Sequence, residues 1–315
     1  MQMRDLIRQN GYEAILLDME TRNTADWKEK LIGYDVIISA GEKFPAETFD
    51  FLAGSLKLVS RFGVGTDEMD HAAATRNGVA ICNAAGTLST AVAECVIGLM
   101  INILRELPAR DRSVRNNDWS WFFEGKNSRQ IEGKTVGLIG FGDIAKALAK
   151  MLYGFDCRVM AYDIRWDEDA AAKWHVEKAD IPTIQREADI VSLHIPATSE
   201  TCGMVNMDFL KAMKRDAILI NTARGKLVVE EDLAKALQTG IIAAAGLDVF
   251  RQEPPESNNP LIHLPNVMVL PHSGAGTTEC VTRAGICSAN NAIDFLNGKT
   301  VVTILNPAYR GKCKE

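Results

Sequence analysis

The stretch of residues 136–163 constrains the fold of this chain more than any other part of the sequence. Its opening apolar run is followed by Gly140, Gly142 and Ala145 in the spacing G-x-G-x-x-A, and then by apolar residues at helical spacing. A second apolar run ends in Asp163. A strand, a tight glycine turn, a helix, a strand and an acid within about 30 residues indicate a dinucleotide-binding βαβ unit.

Each part of this unit has a physical role in binding a dinucleotide. Gly140 permits the tight turn, and Gly142 lets the backbone approach a pyrophosphate at the start of the helix. Asp163 is suited to accept hydrogen bonds from both ribose hydroxyls, which favours NAD over NADP, although the nearby Arg165 offers a partner for a 2′-phosphate. Asp143 is unusual beside a pyrophosphate, and we expect solvent to screen its charge.

Four later apolar runs carry reactive or charged residues at or near their carboxyl ends. The runs cover residues 190–195, 217–220, 243–249 and 267–270. Residues just past the carboxyl ends of strands face the ligand in a doubly wound sheet. We therefore expect one crevice to hold His194, Arg224, Asp248 and His272.

Apolar runs also alternate with helical segments before residue 90. Those of strand length cover residues 12–17, 35–39, 56–60 and 79–82. This alternation predicts another parallel sheet with helices on both faces. The expected fold is therefore α/β, with two doubly wound parallel-sheet domains.

Three residues have side chains that suit hydride transfer between an alcohol carbon and a nicotinamide. His272 is the candidate acid–base group, because an unperturbed imidazole pKa of about 6.5 lies near working pH. Glu253 is placed to orient that ring, and Arg224 supplies a cation for the forming carbonyl. Singly, each residue also fits an ordinary surface or loop position. His194 fits a cofactor-facing or packing residue better than a second base.

A second glycine-rich turn follows the predicted strand at residues 56–60. Arg61, Gly63, Val64 and Gly65 combine bare backbone N–H groups with one guanidinium, which suits an anion site. A purely structural glycine turn is an equally good interpretation of this segment alone.

Composition narrows the function classes. A net charge of −6 argues against general nucleic-acid binding, and the apolar run over residues 91–104 is too short to span a bilayer. The start of the chain lacks the pattern of a signal peptide. Seven cysteines without a C-x-x-C pair predict reduced thiols in the cytoplasm. No metal site is expected.

Aromatic residues cluster in the polar segment of residues 109–134. Trp119, Trp121, Phe122 and Phe123 lie within five residues of one another. Such a patch predicts a subunit contact, and packing on the segment's own domain is the alternative.

Nearly the whole chain, residues 45–310, resembles the D-isomer-specific 2-hydroxyacid dehydrogenases, most closely their D-3-phosphoglycerate dehydrogenase branch. The motifs that carry the resemblance are SRFGVGTDEMD, GLIGFGDIAKALA, INTARGKLVVEEDLAKALQTG, LDVFRQEPP and LPHSGAGT, in the family's order. It implies a homodimer that uses NAD and a small anionic 2-hydroxy or 2-oxo acid. It also implies a Rossmann-type NAD-binding domain, residues 105–287, inserted in a flavodoxin-like substrate domain, residues 1–104 and 288–315.

The resemblance also implies roles for particular residues. The catalytic set would be Arg224, Glu253 and His272. The substrate would contact Arg61, Val64, Gly65 and Arg224. The cofactor would contact Gly140, Gly142, Asp143, Ile144, Asp163, His194, Ile195, Pro196, Thr222, Ala223, Asp248 and Gly274, with Asp248 at the carboxamide.

The chain departs from the family pattern in several places. Asp143 replaces a residue that is often Arg, while Ala84, Ala85 and Leu88 replace the usual Thr-Pro and Asn near the nicotinamide. The aromatic segment lacks basic residues over 119–124, which disfavours a phosphorylated substrate. The family's opening strand and a C-terminal regulatory domain are expected to be missing.

Two other functions are compatible with the same residues. One is hydroxypyruvate or glyoxylate reduction by the same kind of site. The other is an NAD-sensing binding protein, like the corepressor relatives of the family. The chain has no long basic extension, which favours the enzyme.

Overall fold

The computed structural model of the chain describes residues 2–17, 27–120 and 128–312. The chain forms two compact units, of which the smaller consists of Met1–Leu88 with Thr277–Glu315 and the larger of Ser89–Gly276. These limits differ from the predicted domain boundaries, because residues 89–104 belong to the larger unit and residues 277–287 to the smaller.

The described residues form ten strands in two parallel sheets. They are β1 (Val36–Ser39), β2 (Leu58–Arg61), β3 (Ala80–Cys82), β4 (Thr135–Ile139), β5 (Arg158–Tyr162), β6 (Val176–Lys178), β7 (Ile190–Leu193), β8 (Ile218–Asn221), β9 (Ala244–Leu247) and β10 (Val267–Val269). The smaller unit has the order β1-β2-β3, and the larger has β10-β9-β8-β7-β4-β5-β6. In the larger sheet the strand order reverses at β4, which is the switch point where ligands bind in doubly wound folds.

Helices connect and flank these strands. They are α1 (Gln2–Gln9), α2 (Ala46–Phe51), α3 (His71–Arg76), α4 (Ser89–Arg105), α5 (Leu107–Arg115), α6 (Asp143–Leu152), α7 (Glu168–Lys173), α8 (Ile181–Glu187), α9 (Met207–Lys211), α10 (Glu230–Gln238) and α11 (Thr278–Leu296). Short 3₁₀ turns lie at Trp27–Leu31, Tyr153–Phe155, Gly225–Leu227, Pro260–His263 and Pro307–Lys312. None of the helices in the described ranges is both long and apolar enough to cross a bilayer.

The smaller unit has apolar residues on both faces of its sheet, as a parallel sheet requires. On one face, Val59 and Ile81 pack with Phe49 of α2. On the other, Leu58 packs with Val301 and Tyr309. Strand β2 is therefore packed on both faces, and the glycine-rich turn begins at its carboxyl end.

The prediction of a strand over residues 12–17 is wrong, because this segment adopts no regular structure. Ile15 and Leu16 are 54% and 69% exposed, so no sheet covers these two side chains. Within the described residues, β1 pairs with β2 alone and forms the edge of the sheet. An apolar run of this length becomes a strand only when a neighbouring strand accepts its backbone hydrogen bonds.

Helix α4 belongs to the larger unit because of its packing. Val96, Leu99 and Met100 are buried in one cluster with Leu138 of β4 and Ile220 of β8. This contact covers a face of the seven-stranded sheet, which explains why the unit begins at the start of α4 rather than after it.

Candidate active site

The predicted βαβ unit is confirmed by β4, α6 and β5. Gly140 has a φ of +101°, and a Cβ placed there would lie 2.5 Å from the carbonyl oxygen of His194. Any side chain would therefore collide with the backbone that follows β7. Gly142, Asp143 and Ile144 then begin α6, where the N–H groups of the first turn have no acceptor within the helix.

Asp163 is fixed at the end of β5 by two backbone amides. Its Oδ2 accepts from Phe141 N at 2.6 Å, and its Oδ1 accepts from Arg165 N at 2.7 Å. The carboxylate is thus tied both to the glycine turn and to the loop that follows the strand. Asp143, in contrast, is exposed at the start of α6, which agrees with the expectation that solvent screens its charge.

The ends of the neighbouring strands β7 and β8 present enclosed polar atoms. Among the described residues, His194 Nε2 and Thr222 Oγ1 are buried and have no hydrogen-bond partner. Burial lowers the pKa of His194 to about 4, so its ring is neutral at physiological pH even though part of the residue reaches solvent. Buried polar groups are normally satisfied, so two without protein partners fit a polar ligand.

The turn after β8 carries Arg224 and is pinned by the last residue of that strand. Asn221 Nδ2 donates to the carbonyl oxygen of Arg224 at 2.9 Å, and Ala223 N donates to Asn221 Oδ1 at 3.1 Å. Arg224 Nη1 donates to the carbonyl oxygen of Ala223 at 2.7 Å. Sequence reasoning selected Arg224 but gave no signal for Asn221 as the residue that shapes its turn.

His272 and Glu253 form the pair that was predicted from the sequence. His272 Nδ1 lies 2.7 Å from Glu253 Oε2, and Glu253 Oε1 accepts from Phe250 N at 3.0 Å. The imidazole is thereby oriented through one nitrogen, which leaves Nε2 for a substrate. The side chain of His272 is 57% exposed, so a small molecule has access to it.

Asp248 holds the backbone around His272. Its carboxylate accepts from Ser273 N at 2.7 Å and from Gly274 N at 2.8 Å, and its carbonyl oxygen accepts from His272 N at 2.8 Å. These bonds stabilise His272 in the left-handed region, at a φ of +53°. Asp248 is 2% exposed, and burial raises the pKa of its carboxyl group. Its assignment to a nicotinamide carboxamide stays a prediction beside this role in shaping the turn.

The remaining predicted cofactor residues lie on the same edge of the larger sheet. Ile195 and Pro196 follow His194 after β7, and Ala223 follows Thr222 after β8. A Cβ at Gly274 would lie 2.8 Å from Asp248 Oδ2, so this position requires a residue without a side chain.

The glycine-rich turn of the smaller unit is braced by Arg61. Arg61 Nε donates to the carbonyl oxygen of Gly65 at 2.9 Å, and Nη1 donates to that of Ser39 at 3.2 Å. Asn83 Nδ2 donates to the carbonyl oxygen of Val64 at 2.9 Å. Since two of its nitrogens bind backbone carbonyls, Arg61 supports the turn, while its predicted contact with substrate stays a prediction, as do those of Val64 and Gly65.

The predicted aromatic contact falls largely outside the described residues. Trp121, Phe122 and Phe123 belong to the part of the chain that the structure does not describe. Trp119, just before them, is 63% exposed.

The larger unit combines a glycine turn at the switch point of a parallel sheet, an acid after the second strand of the βαβ unit and a paired histidine at the carboxyl edge. This combination defines a nicotinamide-dependent dehydrogenase. The family described as "D-isomer specific 2-hydroxyacid dehydrogenase, NAD binding domain" matches residues 97–274. The chain belongs to the D-isomer-specific 2-hydroxyacid dehydrogenase family. It is accordingly an NAD-dependent oxidoreductase of 2-hydroxy acids and 2-oxo acids.

Three similar proteins illustrate the range of the family. A glyoxylate reductase of Thermofilum pendens is 39% identical over 84% of this chain and 79% of its own length. A D-3-phosphoglycerate dehydrogenase of Archaeoglobus fulgidus is 35% identical over 96% of this chain, which spans 56% of that relative. The solved structure of an acyclic imino acid reductase with NADPH and D-Arg superposes with a TM-score of 0.87, at 26% identity, over 97% of this chain and 95% of its own.

Proposed function

We propose that this chain interconverts a small D-2-hydroxy acid and its 2-oxo acid, with His272 as the acid–base residue and Arg224 as the cation beside the reacting carbonyl. The observation that carries the proposal is the 2.7 Å contact between His272 Nδ1 and Glu253 Oε2. His272 and Glu253 follow strands of the same sheet as the glycine turn that is typical of dinucleotide binding. A proton-transfer group and a predicted cofactor site therefore occur in one unit.

The residues of the larger unit fit an NAD molecule. Asp163 would accept from the ribose hydroxyls, and the turn at Gly140 and Gly142 would receive the pyrophosphate. Thr222 Oγ1 and His194 Nε2, both enclosed without protein partners among the described residues, would gain hydrogen bonds. When bound, the cofactor supplies or accepts the hydride.

The chain's own residues perform the proton chemistry. In the reducing direction, protonated His272 donates the proton on Nε2 to the carbonyl oxygen, and Glu253 balances the imidazolium charge before transfer. In the oxidising direction, neutral His272 takes the hydroxyl proton at the same atom. Arg224 stays charged in both directions, because a guanidinium does not lose its proton near neutral pH.

Phosphohydroxypyruvate and glyoxylate or hydroxypyruvate are the competing substrates. The resemblance within residues 45–310 favours a phosphoglycerate dehydrogenase-like activity, whereas the matched glyoxylate reductase is similar over more of its own length. The lack of basic residues over 119–124 disfavours a phosphorylated substrate.

Initial rates of NADH oxidation with phosphohydroxypyruvate, glyoxylate and hydroxypyruvate test the proposal. We expect the parent chain to turn over at least one of these acids. This turnover should be lost in His272→Ala. Binding of NADH without turnover of any 2-oxo acid would contradict the enzyme and support an NAD-sensing binding protein.

We further propose a homodimer in the cytoplasm. The exposed apolar side chains on and after α5 support a subunit contact, with Leu107 41%, Val114 49% and Trp119 63% exposed. The six cysteines in the described ranges are free thiols, as a reducing compartment favours.

A further inference from the structure

We infer that Glu230 is a positioning residue, which clamps the loop over residues 250–259 and thereby holds Glu253 against His272. This inference rests on the proposed function, since it assigns a partner to the proposed acid–base pair. Glu230 does not contact His272 in this arrangement, and it acts through the backbone of the loop.

One carboxylate ties together the two ends of the loop. Glu230 Oε1 accepts from Arg251 N at 2.6 Å, and Glu230 Oε2 accepts from Asn259 Nδ2 at 2.7 Å. Asn259 is itself oriented, because its Oδ1 accepts from Leu261 N at 3.0 Å. Hydrogen bonds to an ionised carboxylate are stronger than those between neutral groups, so this clamp restrains the loop at both flanks.

The amide that Glu230 holds directly follows the amide that orients Glu253. Phe250 N donates to Glu253 Oε1 at 3.0 Å, one residue before the amide that Glu230 holds. Glu253 Oε2 in turn contacts His272 Nδ1. A shift of the peptide between Phe250 and Arg251 would therefore move the carboxylate that faces His272.

The same peptide supports the turn that carries Arg224. A Cβ at Gly225 would collide with the carbonyl group of Phe250, so the two backbones are in direct contact. Both proposed catalytic elements of the larger unit thus rest on the peptide fixed by Glu230. This gives Glu230 a role that its position at the start of α10 does not by itself require.

The neighbouring residue provides a matched control. Glu231 occupies the same first turn of α10, carries the same charge and is exposed. Within the described residues it takes no part in the clamp. Glu230→Ala and Glu231→Ala therefore remove the same group from the same helix end, and only the first removes the bonds to the loop.

Hydrogen exchange measures the clamp without any substrate. In Glu230→Ala we expect amides over residues 249–259 to exchange about 10- to 100-fold faster, as the loss of hydrogen bonds to a charged group predicts. Glu230→Gln retains one acceptor oxygen, so its exchange rates should lie between those of Glu230→Ala and the parent chain. Glu231→Ala should exchange at the rates of the parent chain. Unchanged exchange in Glu230→Ala would overturn the inference.

A double-mutant cycle then tests whether Glu230 acts through Glu253. Glu230→Ala should lower kcat by about 10- to 100-fold, as expected for a misplaced catalytic group, and leave the dissociation constant of NADH unchanged. In a Glu253→Ala background, the same change should lower kcat by a smaller factor than in the parent chain, because only its effect through the turn of Arg224 remains. Equal losses in both backgrounds, or a parallel loss of NADH affinity, would show a purely structural role and overturn the inference. A parent chain inactive with every 2-oxo acid would refute the proposed function, and the exchange comparison would still decide the clamp.

Discussion

The enclosed ring of His194 makes the stability of the apoprotein depend on pH in a calculable way. In the unfolded chain this imidazole has an ordinary pKa of about 6.5. In the folded chain burial lowers the pKa to about 4. Between these values the unfolded state binds more protons, so the free energy of unfolding falls as the pH falls from 6.5 towards 4. Well above pH 6.5 the residue is neutral in both states and contributes no slope.

The size of this effect follows from the two pKa values. Each unit of separation corresponds to about 1.4 kcal/mol, so the loss from His194 is about 2 kcal/mol at pH 5 and about 3 kcal/mol at pH 4. This is a large share of a typical domain's stability of about 5–15 kcal/mol. Other groups titrate over the same pH range. The test therefore compares the loss of stability on acidification in a His194 variant with that in the parent chain.

Urea unfolding of the apoprotein at pH 7.5, 6, 5 and 4.5 provides the measurement. His194→Asn should lose less stability than the parent chain on acidification, whatever its stability at pH 7.5. His263→Asn is the control, because His263 is exposed and lies in the same unit. Parallel pH profiles for the parent chain and His194→Asn would refute the reasoning. If the variant does not fold, an NMR titration that finds the parent ring protonated above pH 6 would refute it equally.

Four further variants test the proposed site and assembly. His272→Ala should lower kcat by about 10²–10⁴-fold with NADH binding retained; near-normal turnover would exclude its acid–base role. Arg224→Lys should also turn over poorly in the same assay, because an ammonium does not reproduce the planar guanidinium, and parent-like rates would contradict this. Asp163→Ala should reduce the preference in kcat/KM for NADH over NADPH, despite the neighbouring Arg165, and an unchanged ratio would show that another residue sets it. Trp119→Ser should weaken a dimer seen by light scattering at micromolar concentration, whereas a monomeric parent chain would rule the dimer out.

The sequence determined the nucleotide-binding unit and its general place in the fold. The glycines, the helix after them and Asp163 lie within one short segment, so local geometry is sufficient to specify them. The chemical types of His272 and Glu253 were also informative, because few side chains transfer protons near neutral pH. Their contact at 2.7 Å, however, joins residues 19 positions apart.

Only the tertiary structure decided which residues support those groups. Glu230 reaches a backbone amide 21 residues away, and Asp248 reaches amides 25 and 26 residues away, so no local pattern reveals either role. These bonds exist because the parallel strands β8, β9 and β10 are neighbours, which brings their carboxyl ends to one edge.

The strand that was predicted but does not form is also explained by tertiary packing. Residues 12–17 have the composition of a strand, but a strand is stable only when a neighbour accepts its backbone hydrogen bonds and covers its apolar face. Helix α4 likewise joined the larger unit because its buried residues fit the face of the seven-stranded sheet. Sequence thus fixes what a segment is able to form, and packing among distant segments selects what it forms.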